Sequence, residues 1–227
     1  MQKKTIIIAE AGVNHNGDLN IAKKLIEEAA SAGADYVKFQ TFTASSLVSK
    51  NANKAEYQIR NTNNNESQFD MLKKLEINDK MHYDLMKHSR KNNIKFLSTP
   101  FDIDSIKYLV GLGLNVLKVP SGEITNLPYL RYIGSTRKKI IISTGMSTLE
   151  EVKAVLEILI DAGSNKNDLT FLHCNTEYPT PFKDVNLNAM LTLKSELEVK
   201  VGYSDHTKGI AVPIAATALG AEVIEKH

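Results

Sequence analysis

The sequence alternates between short β-branched apolar runs and longer segments with helical periodicity, and this alternation is what most limits its fold. Strands that alternate with helices favour parallel pairing, because each helix carries the chain back to the start of the next strand. The eight runs lie at 5–8, 36–39, 95–98, 116–119, 139–142, 169–172, 199–201 and 221–224. Helical patterns lie at 19–32, 79–92, 103–112, 148–162 and 208–219, with weaker ones at 127–134 and 187–196.

Eight such units predict an α/β protein with a (β/α)8 TIM barrel, a fold that typically takes ~250 residues. The alternative, a doubly wound open sheet, usually carries a GxGxxG fingerprint after its first strand. Here the first run is followed by EAGVNHNG at 10–17, which does not match it. We therefore expect one barrel domain over 1–227. The Asn-, Ser- and Lys-rich stretch 42–68 is predicted to be a long loop after the second strand.

The eighth apolar run continues into His227, and no helical pattern follows it. A (β/α)8 barrel usually covers its last strand with a helix. We therefore expect a barrel that ends after its eighth strand, as a piece of a longer protein would.

Composition excludes several classes of protein. Twenty-eight basic and 26 acidic residues leave a net charge of +2, which gives no sign of a nucleic-acid or membrane surface. No apolar run approaches the ~20 residues of a membrane span. Glu10 closely follows the first apolar run, which argues against a secretory signal. The single cysteine, Cys174, cannot form an intramolecular disulfide, as is typical of a cytoplasmic protein.

Each predicted strand runs from apolar to polar at its carboxyl end, where the active sites of this fold lie. Lys38 and Lys118 are the most informative of these polar residues, because each lies inside an apolar run. They can snorkel on the outer face of the barrel. If they point into the barrel instead, their two buried positive charges need an anion as a partner. The hydroxyls of Ser121, Ser143 and Ser204 favour a phosphate-like ligand, with a lysine Schiff base as the competing role.

Two histidines, His206 and His227, end strands that are neighbours in a barrel. Such a pair can share a metal ion, or each can be an ordinary hydrogen-bonding residue. Of the other histidines, His15 is a possible third ligand, and His82 is expected on the surface.

Two carboxylates, Glu10 and Glu123, lie at strand ends beside the lysines. They can form salt bridges with them, or one can act as a general acid or base if burial raises its pKa. Cys174 has no evident neighbouring base and is not predicted to be a nucleophile.

Eight sequence blocks identify a resemblance to the bacterial sialic acid synthase family, which includes N-acetylneuraminate, legionaminate and pseudaminate synthases. The blocks are EAGVNHNG at 10–17, VKFQT at 37–41, FLSTPF at 96–101, KVPSGEITNLP at 118–128, ISTGM at 142–146, LHCNTEYP at 172–179, GYSDH at 202–206 and IEKH at 224–227. They cover all eight predicted strand ends in order.

The resemblance implies a condensation of phosphoenolpyruvate with the open-chain aldehyde of an N-acylated amino sugar, with release of phosphate. It implies a divalent metal on His206 and His227, usually manganese, with magnesium or cobalt as alternatives. It implies phosphoenolpyruvate contacts at Lys38, Lys118, Ser121, Ser143, Asn175 (or Thr176) and Ser204. It implies catalytic or sugar-binding roles for Glu10, Gln40, Asn61, Thr99, Glu123 and Tyr178.

Within this family the first expectation is N-acetylneuraminate synthase acting on N-acetylmannosamine. The alternative is a legionaminate or pseudaminate synthase acting on a 2,4-diacetamido-2,4,6-trideoxyhexose, or a fragment that only binds. Synthases of the same chemistry that use phosphorylated aldoses would need a second basic pocket, which the strand ends lack. The family's C-terminal antifreeze-like domain is expected to be absent from this sequence, and the full-length form to be a homodimer.

Overall fold

The computed structural model describes residues 5–49 and 67–227. Its strands confirm all eight predicted ones, and most extend further toward the carboxyl end than the apolar runs, because polar residues continue the same extended backbone. They are β1 (Ile6–Gly12), β2 (Tyr36–Thr41), β3 (Lys95–Pro100), β4 (Val116–Val119), β5 (Lys139–Ser143), β6 (Leu169–Cys174), β7 (Lys200–Asp205) and β8 (Val223–Lys226).

The seven predicted helices are confirmed with ends shifted by at most a few residues. Within the described ranges the α-helices are α1 (Leu19–Ser31), α2 (Ala44–Leu47), α3 (Gln68–Leu75), α4 (Asp79–Lys91), α5 (Ile103–Gly111), α6 (Leu127–Ser135), α7 (Leu149–Asp161), α8 (Asn188–Leu197) and α9 (Ala211–Ala218).

Two of these helices, α2 and α3, were not predicted. The helix α2 lies within the stretch predicted to be a loop, so that prediction was wrong for its first part. The helix α3 begins at the end of that stretch, where the Ser67 side chain accepts a hydrogen bond from the Asp70 amide. Such capping stabilises the first turn of a short helix. Residues 50–66 lie outside the described ranges.

The strands form one parallel sheet in the order β3-β2-β1-β8-β7-β6-β5-β4. The two end strands, β3 and β4, lie side by side but share no assigned ladder of hydrogen bonds in the described structure. The sheet is therefore a nearly closed (β/α)8 barrel, as predicted. No helix in the described ranges is long and apolar enough to cross a membrane.

The barrel interior is layered, because alternate residues of each strand face inward. An apolar layer fills its middle: Ile8, Leu97, Ile141, Leu172 and Val223. Two residues further along the strands the side chains become mostly polar: Glu10, Thr99, Ser143, Cys174 and Glu225, joined by Lys38, Lys118 and Ser204 from the remaining strands. The apolar layer thus forms the floor of a polar cup at the carboxyl ends of the strands.

Candidate active site

The Lys38 side chain lies inside the cup, which agrees with the inward of the two predicted orientations. Its Nζ is 2.5 Å from Glu10 Oε2, and it donates to Thr99 Oγ1 at 3.0 Å. The residue is only 4% exposed. The cup therefore holds a buried ammonium group that is neutralised by a carboxylate of the neighbouring strand.

The second ammonium group, that of Lys118, is equally buried on the other side of the cup. It donates to Ser143 Oγ at 2.6 Å and to the Val119 carbonyl at 3.0 Å. Burial lowers the pKa of Lys118, and the positive charge of Lys38 lowers it further. The snorkelling alternative is therefore wrong for both lysines.

One carboxylate, that of Glu225 on β8, lies between the two lysines. Its Oε2 is 3.8 Å from Lys38 Nζ and 4.0 Å from Lys118 Nζ. Its Oε1 accepts a hydrogen bond from Ser204 Oγ at 2.9 Å and is 3.9 Å from His227 Nε2. No role was predicted for Glu225. The two-residue period of β8 would have indicated its position, since Val223 occupies the inward layer below it.

The two buried carboxylates of the cup have opposite pKa shifts. Burial raises the pKa of Glu10, and the nearby Glu225 charge adds to this effect. Burial would also raise the pKa of Glu225, but Lys118 and Lys38 outweigh it and lower that pKa to about 2. Glu225 is thus the permanent counter-ion, and Glu10 is the group whose environment suits proton transfer.

Small polar groups line the cup beside Lys118. Ser121 Oγ accepts the Gly145 amide at 2.9 Å and lies 3.4 Å from Cys174 Sγ. A Cβ on Gly145 would lie 2.6 Å from Thr176 Cγ2. Asn175 Oδ1 accepts the Glu177 amide at 2.8 Å, so this side chain orders its own loop.

The two histidines predicted to share a metal do lie together. The ring centroids of His206 and His227 are 4.2 Å apart. Tyr178, which is largely exposed, stacks on His206 with ring centroids 4.0 Å apart. The three rings form one wall of the cup.

The chemistry of this pair suits a divalent ion. His206 Nδ1 is hydrogen bonded to the Asn175 carbonyl, and His227 Nδ1 to the Asp205 carbonyl at 3.2 Å. These bonds hold the proton on Nδ1 and leave each Nε2 as a lone-pair donor. Burial also lowers both pKa values, that of His227 to about 4, which keeps the rings neutral. Within the described ranges no group of three or more His, Cys, Asp or Glu side chains is arranged to hold a metal ion.

The remaining predicted residues are less closely joined to the lysines. Glu123 accepts a hydrogen bond from Asn126 Nδ2 at 2.7 Å, and no ion pair links it to a lysine in the described structure. Gln40 lies on β2 in register with Thr99. Asn61 lies outside the described residues.

The sequence matches a known protein family over most of its length. A sequence model of the NeuB family matches residues 25–227. The chain belongs to the NeuB family. This confirms the predicted resemblance to sialic acid synthases.

Two curated relatives of this NeuB chain are N,N'-diacetyllegionaminic acid synthases. The chain is 58% identical to the enzyme of Campylobacter jejuni, covering 99% of this chain and 67% of that protein. It is 51% identical to the enzyme of Legionella pneumophila, covering 97% of this chain and 63% of that protein. The chain thus spans roughly two thirds of the length of these relatives.

Solved structures agree with the barrel. The N-acetylneuraminic acid synthetase of Leptospira borgpetersenii superposes with a TM-score of 0.85 at 37% identity, covering 99% of this chain and 73% of that one. A truncated 3-deoxy-D-arabino-heptulosonate 7-phosphate synthase of Thermotoga maritima has a TM-score of 0.68 at 16% identity, which shows a shared fold alone.

One histidine of the NeuB chain is not where we expected it. His82 was predicted on the surface, but it is fully buried behind the cup. Its Nε2 is 2.9 Å from Thr41 Oγ1, and its Nδ1 is 3.1 Å from the Asn78 carbonyl. Its neighbours in the sequence are largely polar, and its partner Thr41 is distant in the sequence. The sequence pattern therefore did not reveal that the imidazole is buried.

Acid is expected to destabilise this chain, because burial lowers the pKa of five of its histidines. These are His15, His82, His173, His206 and His227. A lowered pKa in the folded state means that the unfolded state binds protons first, so stability is lost as pH falls below about 6.5. Urea unfolding midpoints from pH 8 to pH 5 measure this loss.

The contribution of one site is isolated by His82→Gln. The free energy of unfolding of this variant is expected to fall less steeply with pH than that of the wild type. The difference in slope corresponds to the uptake of about one proton on unfolding. An unaltered slope in His82→Gln would contradict the assignment of a buried neutral ring.

Proposed function

We propose that this NeuB-family chain condenses phosphoenolpyruvate with the open-chain form of a 2,4-diacetamido-2,4,6-trideoxyhexose, the reaction of a legionaminate-type synthase. The observation that carries the chemistry is the pair of buried ammonium groups, Lys38 and Lys118, in one hydroxyl-lined cup. The identities of 58% and 51% to two legionaminic acid synthases favour this sugar over N-acetylmannosamine, which was our first expectation.

Phosphoenolpyruvate suits the cup because it carries both a carboxylate and a phosphate. The ammonium of Lys118 already donates to Ser143, and Ser121 lies at the same rim. Charged hydrogen bonds in a buried site are the strongest that a protein offers to an oxyanion. In our proposal Lys38 and Lys118 bind the acidic groups and orient the enol.

The reaction we propose forms one carbon–carbon bond. Carbon 3 of the enol attacks the aldehyde carbon of the sugar, and water adds to the cationic carbon 2 that results. The tetrahedral adduct then loses phosphate by breaking its carbon–oxygen bond. Glu10 moves the proton of the water or of the aldehyde oxygen, because its raised pKa brings it toward the working pH.

We further propose that His206 and His227 hold a divalent ion, with manganese first and magnesium or cobalt as alternatives. When bound, such an ion supplies Lewis-acid polarisation of the sugar aldehyde. Tyr178 forms the wall next to the two imidazoles, and its exposed ring is available for contact with the sugar.

Calorimetric titration of phosphoenolpyruvate, with and without manganese, tests the cup directly. Lys118→Ala is expected to weaken binding about thirtyfold, which corresponds to ~2 kcal/mol for a lost charged hydrogen bond. Lys107→Ala is the control, because Lys107 is exposed and lies on α5, where it forms an ion pair with Asp104. Equal affinity in Lys118→Ala and the wild type would place the anion elsewhere.

The sugar is tested by turnover. The chain is incubated with phosphoenolpyruvate, manganese and either the 2,4-diacetamido sugar or N-acetylmannosamine, and released phosphate and the nonulosonate product are measured. We expect faster turnover of the diacetamido sugar. A preference for N-acetylmannosamine would return the assignment to a neuraminate synthase, and phosphoenolpyruvate binding without product from either sugar would favour a binding-only chain.

A further inference from the structure

A cavity of about 440 Å³ lies at the end of the barrel opposite the polar cup. The first residues of four strands line it: Tyr36, Lys95, Val116 and Lys139. The turns that precede β3 and β4 and two residues of α4, Met86 and Arg90, complete the wall. The catalytic chemistry proposed above uses none of these residues.

The cavity lies across the seam of the barrel. The strands β3 and β4 end the sheet order and share no ladder in the described structure, so their amino-terminal ends are not joined by backbone hydrogen bonds. Lys95 and Phe96 contribute from one side of the seam, and Leu114 to Val116 from the other. The opening is thus a consequence of how the barrel closes.

The charge around this cavity is positive. Arg90, Lys95 and Lys139 line it, and no Asp or Glu is among its described lining residues. None of the three cations has an ion-pair partner in the part of the chain that the structure describes. Lys95 lies over the Tyr36 ring, with its Nζ 5.2 Å from the ring centroid.

Apolar side chains form part of the cavity wall, beside these cations. Ile94 and Leu114 are buried there, and Met86 and Phe96 are half-buried. A cavity with an apolar surface and a few convergent polar groups is typical of small-molecule sites, which are usually about 300–1,000 Å³ in volume. The guanidinium of Arg90 adds a fork of donors that matches the geometry of phosphate or carboxylate.

We propose that this cavity binds a small organic anion, whose phosphate or carboxylate group pairs with Arg90 and Lys139 and whose apolar body contacts Ile94, Leu114 and Met86. The site is separate from the cup and does not depend on the proposed condensation. Charge complementarity selects the anion, and the apolar walls select an organic one over inorganic phosphate.

Calorimetric titration of phenyl phosphate into the whole chain tests the proposal. Arg90→Gln and Lys139→Gln are each expected to weaken binding about tenfold, since each removes one charge-assisted contact. Lys91→Gln is the matched control, because Lys91 is an exposed cation next to Arg90 that does not line the cavity. Circular dichroism of all variants checks that each is folded.

The cup also attracts anions, so the titration is repeated in Lys118→Ala. Retained affinity for phenyl phosphate in that variant, together with the loss in Arg90→Gln, supports a second site. Binding that is lost in Lys118→Ala and unchanged in Arg90→Gln would overturn the proposal, as would the absence of binding in the wild type. Inorganic phosphate that binds as tightly as phenyl phosphate would overturn the role of the apolar walls.

Discussion

Replacing Glu225 by alanine is expected to lower the free energy of unfolding by about 3 kcal/mol, the lower end of what breaking a buried ion pair costs. The carboxylate is 3% exposed and lies within 4.0 Å of both Lys38 and Lys118. After its removal Lys38 still pairs with Glu10, but Lys118 loses the one carboxylate that forms an ion pair with it in the described structure. Lys118 can limit the cost by releasing its proton, since burial already lowers its pKa.

Urea unfolding monitored by circular dichroism measures this loss. Glu225→Gln separates charge from shape, because the amide oxygen can still accept the Ser204 hydroxyl. We expect it to lose most of the same stability. Glu198→Gln is the control: its carboxylate is largely exposed and 3.5 Å from Lys166, so a change of less than about 1 kcal/mol is expected. If Glu225→Gln and Glu198→Gln lowered the free energy of unfolding by the same small amount, Glu225 would not be the group that neutralises the lysines.

The barrel was predictable because its signal repeats along the whole chain. Each strand combines a β-branched run with a polar end, and each following helix has its own apolar face. Lys38 and Lys118 were predictable for a related reason, since a charge inside an apolar run needs a partner. Local sequence therefore indicated both the architecture and the end of the barrel that carries the cup.

What sequence alone did not reveal depends on pairs of distant residues. The role of Glu225 follows from the order in which strands close the barrel, which brings β8 between β1 and β7. The burial of His82 follows from its contact with Thr41, and α2 is only four residues long, which is too short to show a helical period. The cavity beneath β3 and β4 likewise exists only after closure.

Gly202→Ala is expected to destabilise the chain by about 3 kcal/mol, although it adds a single methyl group. Gly202 lies in β7 opposite Val223 in the ladder with β8. A Cβ there would overlap the Val223 carbonyl oxygen and lie 2.7 Å from Leu172 Cδ2. Because the first of these atoms belongs to the backbone, the strands themselves must separate to admit the methyl group.

The same substitution elsewhere has the opposite expected sign, which makes it a matched control. Gly111 ends α5, and a Cβ added to it would meet no atom within 4 Å, so Gly111→Ala should stabilise the helix by about 0.5 kcal/mol. Thermal and urea unfolding compare the two variants. The positions of Ser204 and Glu225 depend on the close approach at Gly202. Ser204 lies two residues beyond Gly202, and Glu225 lies two residues beyond its ladder partner Val223. A Gly202→Ala chain as stable as Gly111→Ala would mean that β7 and β8 are not held at this spacing, and the carboxylate between the two lysines would then lack a fixed support.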